Sequence, residues 1–200
     1  MITVPNDYNQ AASYTGEGGA KLSAGGYVCE IKAARVETVG QDAKQKFVLA
    51  VDIAEGEHKG FFDKAWKAAK AQDANAKWRG TYEVFLLDRD GKTNPFFKGM
   101  ITCIDKSNHG FQTVVNGQID DAKLKGKKIG LLYREEEYLK DGKVRTAVKA
   151  FAARTVEDIR KGVETPQKKT LNGNTGAGRA PQANPTAGFT QVDDDFELPF

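Results

Sequence analysis

The chain contains 200 residues, of which 40% are hydrophobic, and carries a net charge of +3, so it can form one hydrophobic core without being strongly charged overall. It contains no run of about 18 apolar residues that could cross a bilayer, and its N-terminus lacks the basic and apolar regions of a signal peptide. We therefore expect a soluble, cytoplasmic protein that does not bind a membrane. The only cysteines, Cys29 and Cys103, lie far apart in sequence and each within an apolar segment expected in the core, so we expect neither a disulfide framework nor a CxxC metal motif.

Strand patterns follow a glycine-containing segment, residues 1–25, for which we expect a flexible N-terminal arm. Residues 27–39 are rich in β-branched and aromatic side chains. Residues 46–54 alternate between apolar and other side chains, which predicts a strand with one face in the core. A third strand is predicted over residues 81–88, where the sequence runs into an Asp-Gly turn.

Helical signals interrupt this pattern twice. Residues 61–78, between the second and third strands, are rich in Ala and Lys and place apolar side chains at helical spacing, which predicts a helical insertion. Asn94 and Pro95, an N-cap residue followed by a proline at the first helical position, predict that a helix begins there and continues over residues 96–106.

Two further strands and a short helix complete the domain. The strands are predicted over residues 128–138 and 143–152, joined by a turn at residues 140–142, and the helix over residues 156–161. A helix between the third and fourth of five strands is typical of the OB-fold, a Greek-key barrel. The sequence therefore predicts a mainly β, five-stranded OB-fold domain with a helical insertion between strands 2 and 3, spanning residues 26–162.

The composition changes at residue 163. Residues 163–191 are rich in Gly, Asn, Thr and Pro and cannot bury enough apolar surface to offset the entropy of ordering them, so we expect a disordered linker. Residues 192–200 form an acidic tip that ends on apolar residues.

Charge is divided unevenly between the two parts of the chain. Residues 1–170 contain 29 Lys and Arg against 23 Asp and Glu, a net charge of +6. Residues 171–200 contain one arginine and four acidic residues, a net charge of −3. A positive body attracts polyanions such as nucleic acid, whereas an acidic end attracts basic protein surfaces.

The C-terminal tip has the most specific motif in the sequence. Three aspartates are followed by Phe-Glu-Leu and a terminal Pro-Phe: Asp193, Asp194, Asp195, Phe196, Glu197, Leu198, Pro199 and Phe200. The motif resembles the C-terminal tip of bacterial and phage single-stranded DNA-binding proteins, although Phe196 and Glu197 stand between the acids and Leu198. The resemblance implies that the tip recruits replication or recombination proteins. The alternative is a solubilising acidic tail.

Segments of the body extend the resemblance over about residues 20–162. Residues 95–104 with Ser107 and Asn108, and residues 134–138, are similar to segments of small proteins from phages of Gram-positive bacteria assigned to single-strand binding. These segments look like parts of the folded framework. They support the resemblance to the family more than they support any particular binding site. The resemblance implies that the chain binds and protects single-stranded DNA during replication, recombination or repair.

Binding single-stranded DNA requires a positive surface and flat side chains on which bases stack. If one face of residues 46–54 is core, Lys46 and Val48 face outward, and the same alternation applies to the other strands. The candidates on the strands are Lys32, Lys46, Phe85, Arg134, Arg145, Lys149 and Phe151, and those on the insertion are Lys64, Trp66, Lys67, Lys70, Trp78 and Arg79. For any one of these aromatic residues, core packing is the commoner role.

Signals for catalysis are weak. Asp88 and Asp90 lie at a turn, and His58 and His109 have no neighbouring ligand cluster. We expect no enzymatic activity, no cofactor and no metal. Two other functions remain open: a recombination mediator or strand-annealing protein, and an adaptor whose barrel binds protein instead of DNA. The sequence also leaves open whether the protein forms a homo-oligomer.

Overall fold

The computed structural model describes residues 21–171. Most of the predicted arm, residues 172–191 of the predicted linker and the acidic tip lie outside the described residues. The predictions made for them remain predictions.

The described part of the chain is mainly β, with one large antiparallel sheet and three helices. The strands of the large sheet are β1 (Gly25–Val39), β2 (Lys44–Ile53), β3 (Thr81–Phe85), β6 (Lys128–Lys140) and β7 (Lys143–Arg154). The strands β4 (Val114–Val115) and β5 (Gln118–Ile119) form a small separate hairpin, and the helices are α1 (Phe61–Lys70), α2 (Pro95–Ser107) and α3 (Val156–Lys161). The order in the large sheet is β3-β2-β1-β6-β7. This confirms the five predicted strands and the positions of the three predicted helices, and adds the small hairpin; the helical insertion predicted over residues 61–78 is helical only as far as Lys70.

Local sequence signals explain where several elements begin and turn. The side chain of Asn94 accepts a hydrogen bond from the backbone N–H of Phe96 at 2.9 Å, and Pro95 begins α2, as the sequence predicts. The turn between β6 and β7 contains Asp141 and Gly142 with φ values of 54° and 70°. Two positive φ values are the requirement of a type I′ hairpin turn, so this turn fixes the register of the two strands.

Strand β3 is shorter than the sequence predicts. It ends at Phe85 instead of residue 88. The carboxylate of Asp88 accepts hydrogen bonds from the backbone N–H groups of Asp90 and Lys92, both at 2.9 Å. This local bonding forms a turn and confirms that turn chemistry accounts for the two aspartates.

The core lies on both sides of β2. On one side, helix α2 packs against β7, β6 and β3 and buries Met100, Ile101 and Ile104. The ring of Phe97 packs edge-on against Phe47, with centroids 5.7 Å apart. The helical insertion covers the other side near the end of β2, where the carboxylate of Asp52 accepts a hydrogen bond from the N–H of Phe62 at 3.0 Å.

Burial on both sides corrects the prediction for Lys46 and Val48. Both side chains are buried, with exposures of 7% and 3%. The ammonium of Lys46 lies 2.8 Å from the carboxylate of Glu83 and 5.2 Å from the ring centre of Phe85, both on β3. Val48 lies between Arg35 and Glu83 on the two neighbouring strands, whose long side chains flank it. Alternation within one strand carries no information about what the neighbouring strands place beside it.

The edge strands of the sheet approach each other at the buried Tyr82 on β3. Burial raises the pKa of Tyr82 to about 12, and a hydrogen bond from the backbone of Ala153 on β7 opposes that shift. This contact joins the two strands that end the sheet order, so the sheet curls strongly.

Strands β6 and β7 continue beyond the rest of the sheet. Strand β1 pairs with β6 only as far as Tyr133, whereas β7 pairs with it as far as Lys140. Residues 134–149 therefore form a two-stranded ribbon, and we use this name for them below.

The first part of the predicted linker lies against the ribbon. The backbone N–H of Lys169 donates to the carbonyl of Glu135 at 2.8 Å, and the N–H of Glu137 donates to the carbonyl of Lys169 at 2.9 Å. The two strands run parallel at this bridge. Beyond Tyr133 the edge of β6 has no partner in β1, so its backbone groups are available for this pairing. Within the described residues, ordered structure therefore continues beyond residue 163, where the linker is predicted to begin.

Candidate nucleic-acid interface

A groove of about 1000 Å³ lies between the ribbon and the segment that joins α1 to β3. The α1–β3 side contributes Ala69, Gln72, Asp73, Asn75, Ala76, Lys77 and Arg79; β3 contributes Thr81 and Glu83; and β6 and β7 contribute Tyr133, Glu136, Tyr138, Ala147, Val148, Lys149, Ala150 and Phe151, with Phe62 at the base. Of the thirteen predicted DNA-binding positions, three line this groove: Arg79, Lys149 and Phe151.

One face of the ribbon forms a wall of the groove. Residues that pair directly across an antiparallel ladder share a face. Tyr138 pairs with Arg145, and Arg134 pairs with Lys149. The two pairs are four residues apart along each strand, so their side chains lie on the same face of the ribbon. Tyr138 and Lys149 line the groove, so this face points towards it. The prediction that Arg145 and Lys149 share a face is confirmed.

Phe151 lies at an irregularity in β7 on the same wall. Tyr133 pairs with Ala150 and Leu132 with Ala152, which leaves Phe151 without a partner in the ladder. The guanidinium carbon of Arg134 lies 4.4 Å from the centre of the Phe151 ring, a cation–π geometry. The result is a flat, positively charged stack beside the groove.

The floor of the groove continues along β3. Thr81 and Glu83 line it, and Phe85 follows on the same face, with 38% of its surface exposed. This confirms that Phe85 is on an accessible face of β3. Lys46 pairs directly with Phe85 and lies on that face as well, although it is buried.

The groove itself contains three basic and three acidic side chains. The basic ones are Lys77, Arg79 and Lys149, and the acidic ones are Asp73, Glu83 and Glu136. Two of the acids are paired with cations: Glu83 with Lys46 at 2.8 Å, and Glu136 with Arg134 at 2.7 Å. The described residues contain 29 Lys and Arg against 21 Asp and Glu, a net charge of +8. The described part of the chain is therefore positive overall, and the two ion pairs reduce the negative potential inside the groove.

The predicted set on the insertion is more scattered. Lys64 and Lys67 lie on the exposed side of α1, and Lys67 pairs with Asp63 at 2.8 Å. Lys70 lies over the Trp66 ring, 5.5 Å from its centre, at the end of α1 that borders the groove. The indole N–H of Trp66 donates to the carbonyl of Ala76 at 3.1 Å. This hydrogen bond anchors the loop after α1 to the side chain of Trp66. The ring of Trp66 is half-buried.

Trp78 is a core residue, which corrects the prediction that its ring is available to DNA. Its exposure is 1%. Its indole N–H donates to the carbonyls of Val51 at 3.2 Å and Gly80 at 3.0 Å. A ring enclosed in this way has no face on which a base could stack.

Lys32 lies apart from the groove. It occupies the irregularity in β1 between Ile31 and Ala33, and its ammonium lies 2.7 Å from the carboxylate of Glu30. The structure therefore gives Lys32 a local ion pair and no place in the groove.

Sequence reasoning missed several residues of the wall and rim. Tyr138 and Lys77 line the groove, and Lys140 and Lys143 pair with each other at the end of the ribbon. A signal for Tyr138 was present: a two-residue turn at Asp141 and Gly142 requires Tyr138 to pair with Arg145. Nothing in the local sequence indicates Lys77, because its position depends on how the insertion folds.

Within residues 21–171, no group of three His, Cys, Asp or Glu side chains is arranged to hold a metal ion. The helices of this same region are all too short or too polar to span a bilayer.

No protein-family model matches the chain, and no curated protein shows significant similarity to it.

Proposed function

We propose that the chain binds single-stranded DNA in the groove, without marked sequence preference, and protects it during replication, recombination or repair. The observation that carries the proposal is the ribbon wall. Its groove-facing side combines Arg134, Arg145 and Lys149 with the rings of Tyr138 and Phe151. Cations beside flat rings are the combination that proteins use to hold the phosphates and bases of a single strand.

The architecture supports an assignment to the OB-fold. In that fold the face of strands 2 and 3 and the loops between strands 1 and 2 and between strands 4 and 5 bind oligonucleotides. Counting only the large sheet, β6 and β7 are the fourth and fifth strands, so the ribbon turn corresponds to the second of these loops. Thr81, Glu83 and Phe85 lie on a face of β3, and the contact of Tyr82 with Ala153 brings the first and last strands of the order together.

A single strand in the groove would contact two kinds of group. Phosphates would meet Lys77 and Arg79 on one side and Arg145 and Lys149 on the other. A base would stack on the Phe151 ring or on the Arg134 guanidinium, whose plane is itself a stacking surface. Both contacts are independent of base identity, which is why we expect little sequence preference.

A titration with fluorescently labelled oligo-dT, followed by anisotropy at several salt concentrations, tests this proposal. We expect tight binding at low salt, with log K falling against log salt by about 0.7 per phosphate neutralised. A duplex of the same length should bind more weakly. Absence of oligo-dT binding at low salt would contradict the proposal and favour a protein adaptor, and accelerated pairing of complementary strands would favour an annealing protein.

We propose further that the acidic tip recruits partner proteins through Phe200, as the resemblance of its motif implies. A terminal aromatic ring can fill an apolar pocket while the aspartates and the terminal carboxylate meet basic residues around it. Deleting residues 193–200 should abolish capture of a replication or repair protein and leave DNA binding intact or slightly stronger. Deleting Phe200 alone should abolish capture while leaving low-salt DNA affinity unchanged. Capture that survives this deletion would rule out the ring as the anchor.

A further inference from the structure

The ribbon contains an acidic run at the proposed DNA-binding wall, with one of its carboxylates in the wall and the others on the opposite face of the ribbon. Its sixteen residues, 134–149, include five basic and four acidic side chains, a net charge of only +1. Three of the acids, Glu135, Glu136 and Glu137, are consecutive: Glu136 lines the groove, whereas its two neighbours alternate to the opposite face of β6. Carboxylates at this position would repel a phosphate backbone within the Debye length of about 8 Å at physiological salt.

Residues 168–171 lie along this acidic run. The ammonium of Lys168 lies 2.8 Å from the carboxylate of Glu137, and that of Lys169 lies 4.0 Å from the carboxylate of Glu136. The backbone N–H of Leu171 also donates to the Glu137 carboxylate at 3.4 Å. The two lysines therefore approach the carboxylates from either side of the β6 edge.

The electrostatic response of both partners agrees with this geometry. The hydrogen bond from Lys168 holds the pKa of Glu137 below its ordinary value, and the same contact raises the pKa of Lys168. With Lys168 and Lys169 in place, the net charge of the ribbon and its added segment becomes +3.

We propose that residues 168–171 are part of the DNA-binding surface, where Lys168 and Lys169 act as positioning residues that neutralise the acidic run so that a polyanion can lie along the ribbon. The inference rests on the proposed function. It assigns to this segment a role that its linker-like sequence does not indicate. The lysines act on DNA through the carboxylates, because each already has a carboxylate partner in the DNA-free protein.

The test uses the full chain and compares two double variants with the same charge change. Lys168→Ala with Lys169→Ala should weaken oligo-dT binding about three- to tenfold at low salt, the range expected for screened surface charges. Lys123→Ala with Lys161→Ala is the control, since these lysines are also exposed and ion-paired, with Asp120 and Glu157, but lie outside the groove lining. The control should change affinity by less than twofold. Equal effects of the two double variants would overturn the proposal.

A second pair of substitutions separates neutralisation from direct phosphate contact. Adding Glu136→Gln and Glu137→Gln to the Lys168→Ala, Lys169→Ala protein should restore most of the lost affinity, because the repelling charges are then absent. The salt slope of the lysine variant should stay close to that of the parent. A slope reduced by about 1.4, the value for two lost phosphate contacts, or a failure of the glutamines to restore binding would show direct contact and overturn the neutralising role.

The proposed function and this inference fail in different ways. If the parent protein does not bind oligo-dT, the proposed function is wrong and the inference falls with it. If the parent binds and the lysine variant matches its control, only the inference is wrong. Thermal unfolding followed by circular dichroism establishes that each variant is folded before its affinity is compared.

Discussion

Replacing Trp78 with alanine is expected to lower the free energy of unfolding by about 3–5 kcal/mol, the range for removing a large buried aromatic ring. The ring is 1% exposed and packs beside Trp66, with ring centres 6.0 Å apart. Its N–H also joins the carbonyl of Val51 on β2 to that of Gly80, just before β3. The substitution therefore leaves a cavity and removes a donor that holds two neighbouring strands in place.

Two matched variants show whether packing is the cause. Trp78→Phe keeps most of the volume but loses the N–H, so a smaller loss of about 1–3 kcal/mol is expected. Trp66→Ala removes a half-buried ring and should cost about 1–2 kcal/mol. Denaturant unfolding at constant m-value provides the measurement. If Trp78→Ala costs no more than Trp66→Ala, the ring is not packed as the structure describes.

The same variants test the stacking role that the sequence suggests for the two tryptophans. Since Trp78 is enclosed, folded Trp78→Phe protein should bind oligo-dT as tightly as the parent. Any quenching of tryptophan fluorescence by DNA should then come from Trp66. Loss of DNA affinity in folded Trp78→Phe protein would mean that the ring becomes accessible when DNA binds.

The parts of the fold that sequence predicts well depend on short-range physics. Asn94 and Pro95 define the start of α2 through one side-chain hydrogen bond and one missing N–H. Asp141 and Gly142 define a hairpin because both adopt positive φ. These effects involve residues within a few positions of one another, so one sequence is enough to predict them.

The parts that sequence predicts poorly depend on contacts between distant segments. Trp78 resembles a surface residue because lysine and arginine flank it, yet the insertion folds it against β2. Lys46 follows the alternation of an exposed position, yet Glu83 provides a carboxylate partner from another strand. Lys169 lies in a polar, linker-like segment, and it forms a parallel β-bridge with Glu136, 33 residues earlier. Neither periodicity nor composition contains this information.

The candidate site falls between these two cases. Period-two alternation correctly groups Arg145 and Lys149, because a hairpin with a two-residue turn keeps its register. Alternation does not show that the α1–β3 segment faces this wall across a groove. The chemistry of one wall is therefore predictable, whereas the groove follows from tertiary structure.

Replacing Phe151 with alanine is expected to weaken oligo-dT binding by about 1–3 kcal/mol, or roughly 5- to 150-fold, if one base stacks there. Phe151 is the ring of the wall that lines the groove and contacts a guanidinium, with Arg134 4.4 Å from its centre. Removing the ring also removes the packing contact that it makes with the Arg134 guanidinium. The flat, charged surface formed by the two side chains together is therefore lost. Phe96→Ala is the control, because Phe96 is 67% exposed and lies outside the groove lining.

The salt dependence and two milder variants identify the cause of the loss. Phenylalanine neutralises no phosphate, so Phe151→Ala should shift affinity at every salt concentration by the same factor and leave the salt slope unchanged. Phe151→Tyr keeps a ring and should bind nearly as the parent does, whereas Phe151→Leu keeps bulk without a π face and should resemble the alanine variant. Parent-like affinity in folded Phe151→Leu protein would exclude stacking on this ring. A reduced salt slope in the alanine variant would instead mean that Phe151 acts by orienting Arg134 towards a phosphate.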